Sequence, residues 1–144
     1  METIRIKYFS DAVPPLCQVD GKSDWIDLYA AETVTLRAGE SALIPLGVAM
    51  ALPEGYEAHV APRSSTFKTY GLLQSNGVGV VDSDYRGEIS VGLCNLGREP
   101  YDVQPGERIA QLVVMPVCPL PVEEAEELDE TQRGAGGFGS TGKK

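Results

Sequence analysis

The stretch NGVGVVDSDYRGEISV, residues 76–91, decides how this chain folds. On its C-terminal side Ile89, Val91 and Leu93 alternate with Glu88, Ser90 and Gly92, the period-two pattern of a strand buried on one face. The stretch therefore predicts a β-hairpin whose tip carries Asp82, Asp84, Tyr85, Arg86 and Gly87. Asp, Ser and Gly are ordinary turn residues, and the plain reading is a turn whose carboxylates cap backbone N–H groups. The grouping points further. A tyrosine sits between an acid and a base, and before them come Gly77 and Gly79, where a missing Cβ lets a flat ligand approach the backbone. A nucleobase pocket has these parts.

Outward from this stretch the chain reads as short strands between Gly/Pro turns. TIRIKYF, from Thr3, alternates Ile4, Ile6 and Tyr8 with Arg5 and Lys7, a first strand at a sheet edge. Residues 11–21, with Pro14, Pro15 and Cys17, form a loop. SDWIDLYAAE (23–32) carries Asp24 and Asp27, either of which can cap a turn or hold water around a metal. It precedes a strand at Thr33–Leu36.

After a turn at 37–40, Ala42, Ile44, Leu46, Val48, Met50 and Leu52 share one face of a long strand. Pro45 and Gly47 interrupt it, as in strands that switch sheets. A strand at Tyr56–Ala61 contains the single histidine, His59, a surface or satisfied side chain rather than a ligand. Pro62-Arg63-Ser64-Ser65 then offers hydroxyls beside a guanidinium, a phosphate clamp or a solvated turn. Thr66–Leu73 holds the one short helical stretch, and 108–114 is apolar on nearly both faces, a central strand in which Gln111 needs a partner or a ligand. Eight to ten short strands with almost no helix describe an all-β sandwich, jelly roll or barrel.

Composition narrows the function. The 144 residues fit one domain with a real core. No apolar run is long enough for a membrane span and the N-terminus lacks a signal-peptide core, so the reading is a cytoplasmic protein. Three cysteines, Cys17, Cys94 and Cys118, with one histidine make neither a disulfide framework nor a zinc site, and buried free thiols are expected. A net charge of −9 argues against bulk nucleic acid as a partner. Six of the twenty-one acids fall in EEAEELDE, 123–130, which leaves fifteen acids against twelve bases elsewhere. A polyphosphate with a divalent cation can therefore bind at a local arginine cluster. The divisions expected are a β core over 1–121, an acidic linker or marginal helix over 122–132, and a Gly-rich arm over 133–144.

Five segments together resemble the trimeric dUTP diphosphatases (dUTPases). They are SDWIDLYAA (23–31), PRSS (62–65), NGVGVVDSDYRGE (76–88), PGERIAQLVV (105–114) and RGAGGFGSTG (133–142), in the family's order and across nearly the whole chain. The resemblance implies a jelly-roll, β-clip-like subunit in a homotrimer, with each active site shared among three chains and closed by a mobile C-terminal arm. It implies hydrolysis of dUTP to dUMP and pyrophosphate, which limits uracil incorporation into DNA and supplies dUMP for dTMP synthesis.

By position, Asp82 would be the general base that activates the attacking water. Tyr85 would exclude a 2′-hydroxyl, and Asn76, Gly77 and the backbone to Val81 would read uracil. Arg63, Ser64, Ser65 and Gln111 would serve the phosphates. Arg133, Gly139, Ser140 and Thr141 would hold the far phosphate, and Phe138 would stack on the base. Mg2+ would be carried by the phosphates and water, with Asp27 touching its water shell. About 15 residues from Pro119 to Arg133 could span up to roughly 50 Å, enough to reach a neighbouring subunit.

The first segment departs from the family pattern. Asp24-Trp25-Ile26 stands where the family commonly has Ala-Gly-Tyr, so Trp25 alters local packing and Asp24 adds a second carboxylate. The related dCTP deaminases share the fold but use a glutamate base, whereas this chain carries the aspartate turn. A protein partner, as for some phage members, is the other role the resemblance admits.

Overall fold

A computed structural model describes residues 2–18 and 22–144. The predicted loop over 11–21 thus lies partly outside the described residues. The elements, in chain order, are β1 (Arg5–Tyr8), β2 (Ile26–Tyr29), β3 (Val34–Leu36), β4 (Ser41–Pro45), β5 (Val48–Ala51), β6 (Tyr56–Ala61), α1 (Ser65–Lys68), β7 (Leu72–Gln74), β8 (Gly79–Val81), β9 (Ser90–Asn95), β10 (Tyr101–Val103) and β11 (Arg108–Pro116). The fold is all-β with a single helical turn, an antiparallel jelly roll. Among the described residues no helix is long and apolar enough to cross a membrane.

Four sheets share one core. They run β2-β11-β6-β8, β4-β9-β7, β1-β5 and β3-β10. Their inner faces bring together Leu28, Leu36, Ile44, Leu46, Val48, Leu93, Val103 and Leu112, each without measurable exposure or nearly so. The six predicted same-face residues from Ala42 to Leu52 do face inward, with Ala42 at the margin. The strand they form changes sheets midway: β4 pairs with β9 and β5 with β1. Gly47 makes the switch. Its φ is +68°, and a Cβ there would lie 2.8 Å from Val13 Cγ2 and 3.0 Å from Ala31 Cβ, so no other residue fits unstrained.

Three expectations are corrected. The arms of the predicted hairpin do not pair with each other. β8 pairs with β6, while β9 lies between β4 and β7. Ile89 explains the divergence, because the Leu46 N–H donates to its carbonyl and its own N–H donates to the Val48 carbonyl, each at 2.9 Å. The chain after Gly87 is thereby captured by the β4–β5 crossing. Second, the turn-capping alternative for Asp27 gives way, because Ile26–Tyr29 is a strand held against β11. Third, of the free thiols Cys94 is half-buried but Cys17 and Cys118 are exposed, one in the Pro-rich loop and the other beyond the end of β11. The acidic run is extended and exposed, not helical, and no strand or helix occurs from Val117 to the C-terminus.

Candidate active site

Central strand β11 places the first half of the site. Its neighbour β2 sets Asp27 opposite Gln111, and β6 sets Ala61 on the other side of the same glutamine. Just beyond β6, the Pro62 carbonyl accepts the Gln111 Nε2–H at 3.0 Å. The partner predicted for the glutamine is thus a backbone group, and it holds the side chain at the strand ends. A register shift between Arg108 and Ala110 turns Arg108 toward Asp27.

The Asp27 carboxylate lies between two guanidiniums, Arg108 Nε at 3.0 Å from Oδ2 and Arg63 Nε at 3.3 Å from Oδ1. Arg108 also lies over the Tyr29 ring, 5.6 Å from its centroid. Tyr29, and after it Asp27, push the Arg108 guanidinium further up, so it stays a cation. The two pairs are only partly buried and reached by solvent, so each stabilises the fold by about 1 kcal/mol. Their effect is orientation: each arginine is gripped through Nε, which leaves its Nη donors for another anion.

These side chains line a cavity of about 520 Å³ with Lys22, Ser23 and Ser64. Three cations face one carboxylate there, in a chain of net charge −9. Ser64 precedes α1 but its hydroxyl caps no backbone N–H. Thr66 does the local work, accepting the Arg63 N–H at 3.1 Å through its buried hydroxyl. Arg108, Lys22 and Thr66 were not singled out by the sequence reading. Arg108 was legible as a cation at the start of a strand bearing Gln111, but the bulge that aims it was not.

The second half lies on β8 and the turn after it. Tyr85 N–H donates to the Asp82 carbonyl at 3.2 Å, which closes the turn through backbone, and the Arg86 guanidinium braces it from Ser83 O at 2.6 Å. Among the described residues no hydrogen bond occupies the Asp82 or Asp84 carboxylate, so the capping alternative is not what these aspartates do. Asp82, Tyr85, Val81, Glu88 and Ser90 line a cavity of about 230 Å³.

Upstream, the turn at Asn76–Gly77 is stapled by Gln74, whose Nε2 donates to the Val60 and Gly77 carbonyls at 2.9 and 3.0 Å. Gly77 is needed for its φ of +68°. At Gly79 a Cβ would meet Val60 and the Asn76 side chain only at 3.4 Å, an ordinary contact, so packing alone does not require glycine there. β8 pairs with β6 on one side only. Its other edge leaves backbone donors and acceptors unpaired by any strand.

The two halves sit apart. From Gln111 across β6 to Asp82 is two strand spacings sideways and about four residues along, on the order of 16 Å. The C-terminal residues Arg133, Gly139, Ser140 and Thr141 lie in a chain of tight turns, with Gly136 N–H to Arg133 O at 3.1 Å and Ser140 N–H to Gly137 O at 3.2 Å. Phe138 is fully exposed. The chain thus groups Asp27, Arg63, Ser64 and Gln111 in one cavity and Val81, Asp82 and Tyr85 in another, and does not unite them with the arm.

Residues 22–142 match the family model for dUTPase. The chain belongs to the dUTPase family. It is 50% identical over 127 residues to the deoxyuridine 5′-triphosphate nucleotidohydrolase of Maricaulis maris (strain MCS10), covering 85% of this chain and 84% of that one. To the enzyme of the same name from Hydrogenobaculum sp. (strain Y04AAS1) it is 44% identical over 145 residues, with both chains covered in full. Among solved structures, the dUTPase of Staphylococcus bacteriophage 80alpha with dUpNHpp superposes with a TM-score of 0.90 over 99% of both chains, at 26% identity. The segments at 23–31, 62–65 and 105–114 are those that build the basic cavity, and 76–88 is the one that builds the aspartate turn.

Proposed function

We propose that this chain is a dUTP diphosphatase that yields dUMP and pyrophosphate, with Asp82 as the base for the attacking water. The observation that carries the reading is the pair of complementary cavities: a basic one suited to a triphosphate, and an uncapped aspartate beside a tyrosine at a free strand edge. The exposed edge of β8 can imitate a base pair toward uracil, with Asn76 and Gly77 shaping the turn. Ring-to-sugar contact at Tyr85 leaves no room for a 2′-hydroxyl. Aspartate is a weak base, so the gain comes from holding water in line with the α-phosphorus.

The attacking water must lie within about 3 to 3.5 Å of the phosphorus and within hydrogen-bond reach of its base at once, and a backbone separation on the order of 16 Å between Gln111 and Asp82 keeps the two halves of one subunit from meeting around one phosphorus. Side chains stand across the sheet and do not close a gap lying within it. This supports a homotrimer in which the basic cavity of one subunit faces the aspartate turn of a second. The 133–144 arm of a third would add Arg133, Ser140 and Thr141 to the phosphates and Phe138 to the base.

The residues fit Mg2+ held chiefly by substrate and water. Among the described residues no three metal-ligating side chains converge, and Asp27, already shared by two arginines, can still accept hydrogen bonds from a metal's water. When bound, Mg2+ neutralises and orients the phosphate oxygens. The dUMP formed would feed dTMP synthesis while the loss of dUTP limits uracil in DNA.

The test is pyrophosphate release with Mg2+ from dUTP, dTTP, dCTP and UTP, for the wild type and Asp82→Asn. Turnover of dUTP alone is expected, with kcat in the variant lower by about 10²- to 10⁴-fold and dUpNHpp binding retained. Turnover that survives in Asp82→Asn would remove the aspartate from its role. Ammonia release from dCTP would replace the reaction by deamination.

A further inference from the structure

Tyr85 is placed by Gly87 and Glu88. Its hydroxyl donates to the Glu88 carbonyl at 3.1 Å. Its ring rests on the bare backbone of Gly87, where an added Cβ would come within 2.6 Å of Tyr85 Cζ. Glu88 is tied in turn to another part of the fold, because its Oε1 accepts the Gly47 N–H at 3.1 Å. Gly47 cannot drift: its left-handed φ and the crowding by Val13, Ala31 and Ser10 pin it at the crossing from β4 to β5.

The next residue, Ile89, is bonded to Leu46 and Val48 on either side of that glycine. Val81, paired with Ala58 of β6, and Ile89 hold the two ends of residues 82–88, so the turn between them can still rock about the line joining those ends. The carboxylate of Glu88 supplies a further, charge-assisted point and stops that rocking. A steric gate needs this, since repulsion between a ring and a hydroxyl changes steeply over tenths of an ångström.

We propose that Glu88 is a positioning residue for sugar discrimination: by fixing the 82–88 turn to Gly47 it sets how closely Tyr85 approaches the 2′ position. The inference rests on the dUTP reading above. Glu88 needs to touch no substrate to do this, and Gly87 completes the seat by leaving room for the ring where a Cβ would stand.

The test compares kcat/KM for dUTP and UTP in the wild type, Glu88→Ala, Glu88→Gln and Tyr85→Phe, each checked for assembly by light scattering and for folding by thermal melting. Glu88→Ala is expected to narrow the dUTP-to-UTP ratio by about tenfold, chiefly through faster UTP turnover. Glu88→Gln, whose amide oxygen can accept the same N–H, should recover most of that ratio. Tyr85→Phe keeps the ring but cuts its link to the Glu88 carbonyl, and should also relax the ratio, which provides a reading even if Glu88→Ala folds poorly.

Equal losses for dUTP and UTP in Glu88→Ala, or a ratio in Glu88→Gln as low as in Glu88→Ala, would overturn the inference. So would an unchanged ratio in Tyr85→Phe. A wild type that releases no pyrophosphate from dUTP would overturn the functional reading itself, and this role with it.

Discussion

Asp27 illustrates how much a single residue's neighbours decide. In the sequence it is one of two carboxylates in residues 23–32, open to a turn-capping or a metal-water role. In the fold it is the centre of an arginine–aspartate–arginine bridge, and all three residues line the basic cavity. Arg108 is the member that sequence reasoning passed over, and it should matter for phosphate binding more than for stability. Arg108→Ala is expected to raise KM for dUTP by about 10- to 100-fold, the loss of one charged hydrogen bond. The thermal midpoint should move by only a few degrees, since an exposed pair contributes about 1 kcal/mol or less. Steady-state pyrophosphate release with parallel melting would separate these effects, and Arg108→Lys should fall between, having charge without the fork.

The turn between β10 and β11 shows the same logic for an element. Glu107 accepts the Tyr101 hydroxyl on one oxygen and the Gln104 N–H at 3.0 Å on the other, while Gly106 and Glu107 exchange backbone bonds with Ala30. This fixes where β11 starts and so where Arg108 and Gln111 fall. Burial first, then the bond to Glu107 and its charge, push the Tyr101 phenol well above its ordinary value. The folded protein therefore keeps a proton that the unfolded chain releases near pH 10. Stability from this group is complete below about pH 10 and falls as the pH rises beyond it. Urea melts from pH 9 to 11.5 should show a steeper alkaline decline in the wild type than in Tyr101→Phe. The variant should also lose about 1 kcal/mol at neutral pH.

For the whole molecule, the arm and the core obey different energetics. Residues 122–132 are exposed throughout, and the 133–144 segment makes turns within itself that bury little. Its ordering on the body must come from ligand contacts that offset its entropy. Removal of 133–144 is expected to leave the melting temperature and the assembly mass unchanged while kcat/KM for dUTP falls by about 10²-fold, from lost phosphate contacts. Light scattering, melting and pyrophosphate release check the three parts. A collapse of the assembly would instead make the arm structural.

Alternating apolar residues, Gly/Pro spacing and five ordered segments were enough to read an all-β jelly roll of the dUTPase family and to find both halves of the candidate site, because period-two burial and turn chemistry are local properties. The sheet partners of β8 and β9, the bulge that turns Arg108 onto Asp27, and the tie from Glu88 to Gly47 were not legible. Each depends on a contact between residues distant in sequence: Ile89 with Leu46 and Val48, Arg108 with Asp27, Glu88 with Gly47. Local pattern says which residues go inside. Only the closed fold decides which partner each one meets there.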